Sequence, residues 1–195
     1  SVLVNTFGDI PYSESLDINN PQPKYDDAKT VTLDLLSRLD TDIAAMNGDA
    51  DGFGTADIIY GGNVGKWQKF ANSLRLKLAM VIADVDPGTA GAKIAASAAL
   101  PLITANADNA LFKYVGAPNN NPLSNDVPPR SARQDFVMAN TLVDEMNTLN
   151  DPRRAAYFTT VGGEYVGGKY GFSNVYANFS TFSTKVTATT FPGNM

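Results

Sequence analysis

Residues 66–79 read KWQKFANSLRLKLA and follow the turn DIIYGGNVG at 57–65. Trp67, Phe70, Leu74, Leu78 and Ile82 recur every three or four residues, which sets them on one face of a 3.6-residue helix. Asn72, Arg75 and Lys77 are woven among them, polar groups that a plain core helix does not need. The spacing predicts a helix over 66–85, stopped by Asp86-Pro87-Gly88.

Working outward, the same periodicity appears upstream in Ala28, Val31, Leu35, Leu39 and Ile43. This predicts a helix over 25–46, with Asp26 and Asp27 at its positive end and Gly48 after its close. Downstream, an Ala-rich stretch predicts a helix over 90–100, ended by Pro101. A further helix is expected over 131–149, with Phe136, Val137, Leu142, Val143 and Met146 on its core face and Asp151-Pro152-Arg153 as its stop. Pro-, Asn- and Gly-rich loops fill 7–23, 47–65 and 116–130. Beyond Pro152 the composition changes. Tyr157, Phe158, Tyr165, Tyr170, Phe172, Tyr176, Phe179, Phe182 and Phe191 stand among Gly, Ser, Thr and Asn, which favours short strands and loops. The chain thus reads as mainly α, with paired antiparallel helices, long loops and a small β- and loop-rich C-terminal part.

With 195 residues, 44% hydrophobic and 18% charged, the chain can bury one sizeable core. Its net charge of −5 and scattered Lys and Arg argue against nucleic acid as a partner. Cys and His are both absent. That excludes thiolate and imidazole metal sites, disulfides, a Ser-His-Asp triad and an imidazole base within this chain. The absence of Cys fits a reducing compartment or an exported protein without bridges equally well. No apolar run is long enough to span a bilayer. The opening Ser1-Val2-Leu3-Val4 reads as mid-protein sequence, so a processed or truncated product is expected.

Several motifs are weighed against plainer readings. Gly163–Lys169 matches the first part of a phosphate-binding loop, but Tyr170 stands where Ser or Thr should follow and GFSNVYANFS is a poor helix former, so a Gly-rich hairpin or loop is expected. Asn47-Gly48-Asp49-Ala50-Asp51-Gly52 alternates oxygen ligands like a calcium loop, yet Ile58 stands where the bidentate Glu should be. Asp49 and Asp51, with backbone carbonyls, are the candidate calcium ligands beside the reading of a solvated acidic turn; no other cofactor is indicated. Asp144 and Glu145 are adjacent on a helix and point apart, so no carboxylate pair supports glycoside hydrolysis. The aromatic tail is more informative. Sugar rings present apolar C–H faces that pack on aromatic rings while polar groups bond their hydroxyls. Tyr165, Tyr170, Phe172 and Tyr176 are therefore the candidate ligand-binding residues, set against the reading of aromatic strand residues packed on the helical body.

Taken together, Gly8-Asp9-Ile10-Pro11-Tyr12, the Asp57–Gly62 turn DIIYGG, Trp67, the run Phe70–Ala79, Asp108-Asn109-Ala110 and Asn150-Asp151-Pro152-Arg153 resemble the SusD/RagB family, and more narrowly the SusD-like outer-membrane nutrient-binding lipoproteins. The resemblance implies a mainly α fold of tetratricopeptide-like helix pairs. It makes residues 1–195 an internal fragment of one SusD-like domain, with a helical body at 1–156 and an aromatic loop and strand region at 157–195. It also implies a non-catalytic protein on the extracellular face of the outer membrane, with a lipid anchor outside this chain. Such a protein would bind oligosaccharide or polysaccharide for import through a SusC-like TonB-dependent transporter. Peptide capture by the same kind of complex, and a structural scaffold that docks a partner protein, are the alternatives. Within the shared motif, Trp67 and Phe70 are expected to bury against the preceding helix, Asn72 to satisfy loop backbone groups, and Arg75 to pair with Asp9 or Asp57. In that reading the motif holds the fold, and the loops meet the ligand.

Overall fold

The computed structural model describes residues 1–50, 52–128, 131–188, 190 and 193–194. It divides into two compact units, Ser1–Ala110 and Leu111–Met195. The first is built on helices: α1 (Val2–Phe7), α2 (Ala28–Ala45), α3 (Val64–Val81) and α4 (Pro87–Ala98). Each long helix begins at a side-chain cap, because the first turn leaves backbone N–H groups without partners. Asp27 accepts from the Thr30 amide, Asn63 from Lys66 and Asp86 from Thr89. Asp86-Pro87-Gly88 starts α4, with Pro87 at its first position, whereas α3, expected to run to residue 85, already ends at Val81 and residues 82–85 form a turn. Asp9 accepts from the Ala28 amide at 2.9 Å. The Gly-Asp-Ile-Pro-Tyr segment is thereby tied to the start of α2, and its Ile10–Pro11 (β1) pairs antiparallel with Tyr25–Asp26 (β2).

The helices pack as antiparallel neighbours. The end of α2 meets the start of α3 where the Gln68 amide donates to the Met46 carbonyl, and the start of α2 meets the turn after α3 through Lys29 and Asp86 at 3.3 Å. Leu36, Leu78, Ile82 and Ala90 form the buried core of the three helices, with Leu35, Leu39 and Leu74 packed on it. Fully burying a leucine contributes about 1.5–3 kcal/mol. The predicted apolar stripe of α3 is therefore real from Leu74 onward. Trp67 and Phe70 differ from expectation. They sit edge-to-face with each other at 5.7 Å, and Trp67 packs the same way on Tyr60 at 5.1 Å, so this end of the stripe turns to the Asp57 turn.

The second unit holds α5 (Pro122–Asp126), α6 (Asn140–Thr148) and α7 (Arg154–Tyr157), and a strand pair Leu111–Phe112 (β3) with Gly193–Asn194 (β4). The helix expected over 131–149 forms only from Asn140. Phe136, Val137 and Met138 are consecutive rather than spaced for one helical face, and the backbone there pairs with distant chain instead. Met138 donates to the Ser180 carbonyl, Gly168 to Met138, and Asn140 to Gly168, each at 2.8 Å. Asn150 ends α6 in the left-handed region at φ +48, and the Asp151 amide returns to the Met146 carbonyl at 2.9 Å, a Schellman-type stop. Met138, Val143, Met146 and Phe158 form this unit's core.

Candidate functional site

The polar residues of α3 account for one half of the site question. Asn72 is fully buried, and its Nδ2 lies 3.0, 3.2 and 3.0 Å from the carbonyl oxygens of Ser97, Leu100 and Pro101. These carbonyls lie in the last turn of α4 and the segment just after it, where Pro101 forbids further helix. Arg75 donates to Ser97 Oγ (3.0 Å), Asn72 Oδ1 (2.8 Å) and Asp40 Oδ1 (2.9 Å). Lys93 also pairs with Asp40. Ser73 Oγ accepts from the Ile103 amide at 2.9 Å. Lys69 pairs with Asp108 at 2.9 Å, and Lys66 donates to the Ala107 carbonyl at 2.6 Å. Asn72 thus satisfies loop backbone as expected. The expected partners of Arg75 are corrected: Asp9 holds the start of α2, and Asp57 is occupied elsewhere. Asp57 Oδ1 accepts from the amides of Ile59 and Tyr60, and Oδ2 accepts from Gly62 and from the Trp67 indole at 2.7 Å. Burial alone would raise its pKa, but the Trp67 indole and the Gly62, Tyr60 and Ile59 amides outweigh it and hold the carboxyl at about 2. Lys77, by contrast, faces solvent.

The second unit arranges the four candidate ligand residues in two pairs. Tyr165 packs on the core beside Phe158, ring centroids 6.4 Å apart, with the Arg154 guanidinium 5.4 Å above its ring. Tyr176 is half-buried in a short turn of 3₁₀ helix, Tyr176–Asn178, against Phe136, Thr181 and Phe182. Tyr170 and Phe172 stand out of the surface, 81% and 62% exposed.

That exposed pair is carried by a braced loop. Asn174 Oδ1 accepts from the Lys169 amide at 3.1 Å, and its Nδ2 donates to the carbonyls of Lys169 (3.1 Å) and Phe172 (2.9 Å). The Tyr170 amide donates to Asn140 Oδ1 at the start of α6. Lys169 Nζ sits 4.1 Å from the Phe172 ring centroid, a cation–π contact. The glycines that resembled a phosphate-binding loop have other duties. Gly162 and Gly163, at φ +61 and +90, make the turn between Val161 and Glu164, which exchange backbone hydrogen bonds. Gly167 lies so close to α6 that a Cβ there would fall 2.3 Å from the Asn140 Cα. Asn140 and Asn174, which position the loop, were not singled out by sequence reading. Asn174 carries a turn-former's signal within GFSN; Asn140 leaves none.

Asp49 exposes its carboxylate on the turn Asn47–Ala50, whose Asn47 Oδ1 accepts from the Asp49 amide. Asp51 lies outside the described residues, and among the described residues no group of three or more acidic side chains could hold a metal ion.

Antiparallel helix pairs braced by buried polar side chains, in a mainly helical chain with long loops, define the class: a helical scaffold of the tetratricopeptide-like kind. Residues 1–195 match the model of the SusD-like_2 family, described as "Starch-binding associating with outer membrane", and the chain belongs to that family. A SusD homologue from Bacteroides uniformis is similar at 34% identity and TM-score 0.81, over 95% of this chain and 40% of that one. A chitin-binding SusD homologue from Flavobacterium johnsoniae is similar at 29% identity and TM-score 0.84, over 99% and 42%. A SusD-like protein from Bacteroides thetaiotaomicron is similar at 30% identity and TM-score 0.79, over 99% and 42%. The chain spans about two fifths of the length of these solved relatives. No curated protein matches it.

Proposed function

We propose that this chain belongs to a non-catalytic glycan-binding protein at the cell surface, and that the Lys169–Asn174 loop meets the sugar. In this reading the C–H face of a sugar ring lies on Tyr170 and Phe172, and Lys169 and loop backbone groups bond its hydroxyls. Tyr165 and Tyr176 act one step back, as packing that fixes the ends of the loop region. The observation that carries the reading is the exposure of two neighbouring aromatic residues on a loop held by Asn174 and Asn140. A braced loop loses little conformational freedom on binding, so more of the stacking energy appears as affinity. Membership of a family described as starch-binding, and the chitin-binding relative, support a polysaccharide as the ligand class. The absence of His and Cys excludes an imidazole base and a thiol nucleophile within this chain. The fuller expectation is capture on the outer face of the outer membrane by a lipid-anchored protein that passes oligosaccharide to a SusC-like TonB-dependent transporter. Among the described residues no helix is long and apolar enough to cross a membrane.

Affinity electrophoresis in gels containing starch or glycol chitin tests the reading. Retardation is expected, and loss of both Tyr170 and Phe172 to alanine should weaken binding by about tenfold, the size of one or two lost aromatic stacks. No retardation by any glycan, with capture of peptides from an array instead, would replace the reading with peptide uptake.

A further inference from the structure

The first unit carries a second cavity that the loop reading does not use. It measures about 560 Å³ and is walled by Tyr12, Leu16, Asp26, Val31, Asp34 and Arg38, between the Gly-Asp-Ile-Pro-Tyr segment and α2. That lies within the roughly 300–1,000 Å³ of small-molecule sites. The polar walls are held by hydrogen bonds within the protein. Asp26 Oδ2 accepts from the amides of Tyr12 (3.2 Å) and Ser13 (2.7 Å), and Oδ1 accepts from Ser13 Oγ (2.9 Å). The Tyr12 hydroxyl donates to Asp34 Oδ2 at 2.5 Å, and Arg38 Nε donates to the same oxygen at 2.7 Å. The Arg38 guanidinium lies 5.5 Å from the Tyr12 ring centroid.

This arrangement leaves particular atoms without a partner among the described residues: Asp34 Oδ1, and Arg38 Nη1 and Nη2. One acceptor therefore stands beside a fork of donors on adjacent turns of α2, with an aromatic ring on one side and Leu16, 99% exposed, on the other. Two neighbouring hydroxyls on a sugar ring each need a donor and an acceptor, and the ring's C–H face needs an apolar wall. The charge balance selects among polar ligands. Two carboxylates and one guanidinium line the cavity, and the Tyr12 hydroxyl foremost, against some desolvation and with Arg38, keeps the Asp34 carboxyl below its ordinary range and so ionised at neutral pH. A carboxylate or phosphate ligand would meet net negative charge there.

We propose that the Tyr12–Asp34–Arg38 cavity is a second carbohydrate-binding site, which takes a neutral pyranose through two adjacent hydroxyls held between Asp34 and Arg38. Tyr12 is a positioning residue as well as a wall, since its hydroxyl fixes which Asp34 oxygen faces the cavity.

Amide NMR of the full chain, titrated in turn with maltotriose, triacetylchitotriose and trigalacturonate, tests the site separately from the loop. A neutral trisaccharide is expected to shift the Ser13, Leu16 and Thr30 amides in the wild type and equally in the Tyr170→Ala/Phe172→Ala double variant. Arg38→Gln, a change on an exposed helix face, should keep the far-UV circular dichroism and weaken the Ser13 and Thr30 response by at least about tenfold, the loss of a charged hydrogen-bond donor. Asp34→Asn is the second variant: it keeps the shape of the side chain, and weakening there with native circular dichroism supports the site independently. Shifts confined to Gly171 and its neighbours would overturn this proposal and leave the loop reading intact. Shifts at Ser13 and Thr30 with none at Gly171 would do the reverse. A stronger response to trigalacturonate than to either neutral sugar would overturn the ligand class proposed.

Discussion

Asparagine does opposite work in the two units. In α3, Asn72 is turned inward, and its amide closes the end of another helix. In the loop after Gly168, Asn174 is turned back on its own backbone, and the effect is to push Tyr170 and Phe172 outward. One arrangement uses a polar residue to complete a core; the other uses it to keep apolar residues out of one. The difference teaches that the polar residues of the 66–79 segment are scaffold, whereas the exposure of Tyr170 and Phe172 is set by short local bracing.

That contrast can be broken by substitution, and the largest effects should fall on the scaffold. Leu78→Ala is expected to destabilise by about 2–5 kcal/mol, since it empties a fully buried position between α2 and α4. Arg75→Met should cost about 3 kcal/mol, because Ser97, Asn72 and Asp40 lose a shared donor in or near the core. Urea denaturation reads both, and in conditions where each variant is folded its glycan affinity should be that of the wild type. Gly167→Ala sharpens the comparison from the other side. Its Cβ would collide with the Asn140 backbone, so a loss of about 1–3 kcal/mol is expected together with weaker glycan binding, the two effects appearing in one variant. Tyr170→Ala/Phe172→Ala should change stability by no more than about 0.5 kcal/mol while lowering affinity. Any marked loss of stability there would mean that the rings belong to the fold.

Acid should act on the turn that leads into α3 and on the turn that follows α6. Asp57 and Asp151 both have folded-state pKa values of about 2, Asp151 chiefly through the Arg153 side chain. A carboxyl depressed on folding stabilises the native state above its unfolded value, near 3.9, and that contribution is lost as pH falls through the folded value. Stability should therefore be level above about pH 5 and fall between about pH 4 and pH 2. Asp57→Asn should flatten that limb in an acid titration, at the expense of stability at neutral pH.

Helix α3 was legible because its apolar spacing survives in the fold, and the start of α2 and the end of α4 were legible because Asp27 and Pro101 act locally; the start of α4 was missed, since Asp86-Pro87-Gly88 reads as a stop while Asp86 in fact caps the helix that Pro87 opens. The stretch 131–139 misled because its hydrogen bonds go to Gly168 and Ser180, and long-range pairing of this kind leaves no periodic trace. Arg75 misled for a related reason: its partner Asp40 sits on a neighbouring helix, while Asp9 and Asp57, closer in motif, were taken by backbone amides. In the candidate site the aromatic residue types were visible, but their division into packed Tyr165 and Tyr176 and exposed Tyr170 and Phe172 depends on which of them the α6 region covers. The cavity beside Tyr12 was not visible at all, because it needs Asp34 and Arg38 to come up against a segment more than twenty residues away.

Trp67 has one more consequence. It is the only tryptophan in the chain, and its indole N–H is bonded to an ionised carboxylate and set edge-on to Tyr60. Its emission is therefore an optical gauge of the Asp57 turn, responsive to loss of that carboxylate's charge and to release of the ring into water. The unit from Leu111 onward has no tryptophan and would be followed by tyrosine emission, to which it contributes five residues against Tyr12, Tyr25 and Tyr60 of the first unit. Two wavelengths on one sample would then show whether the halves of this chain melt together or in turn.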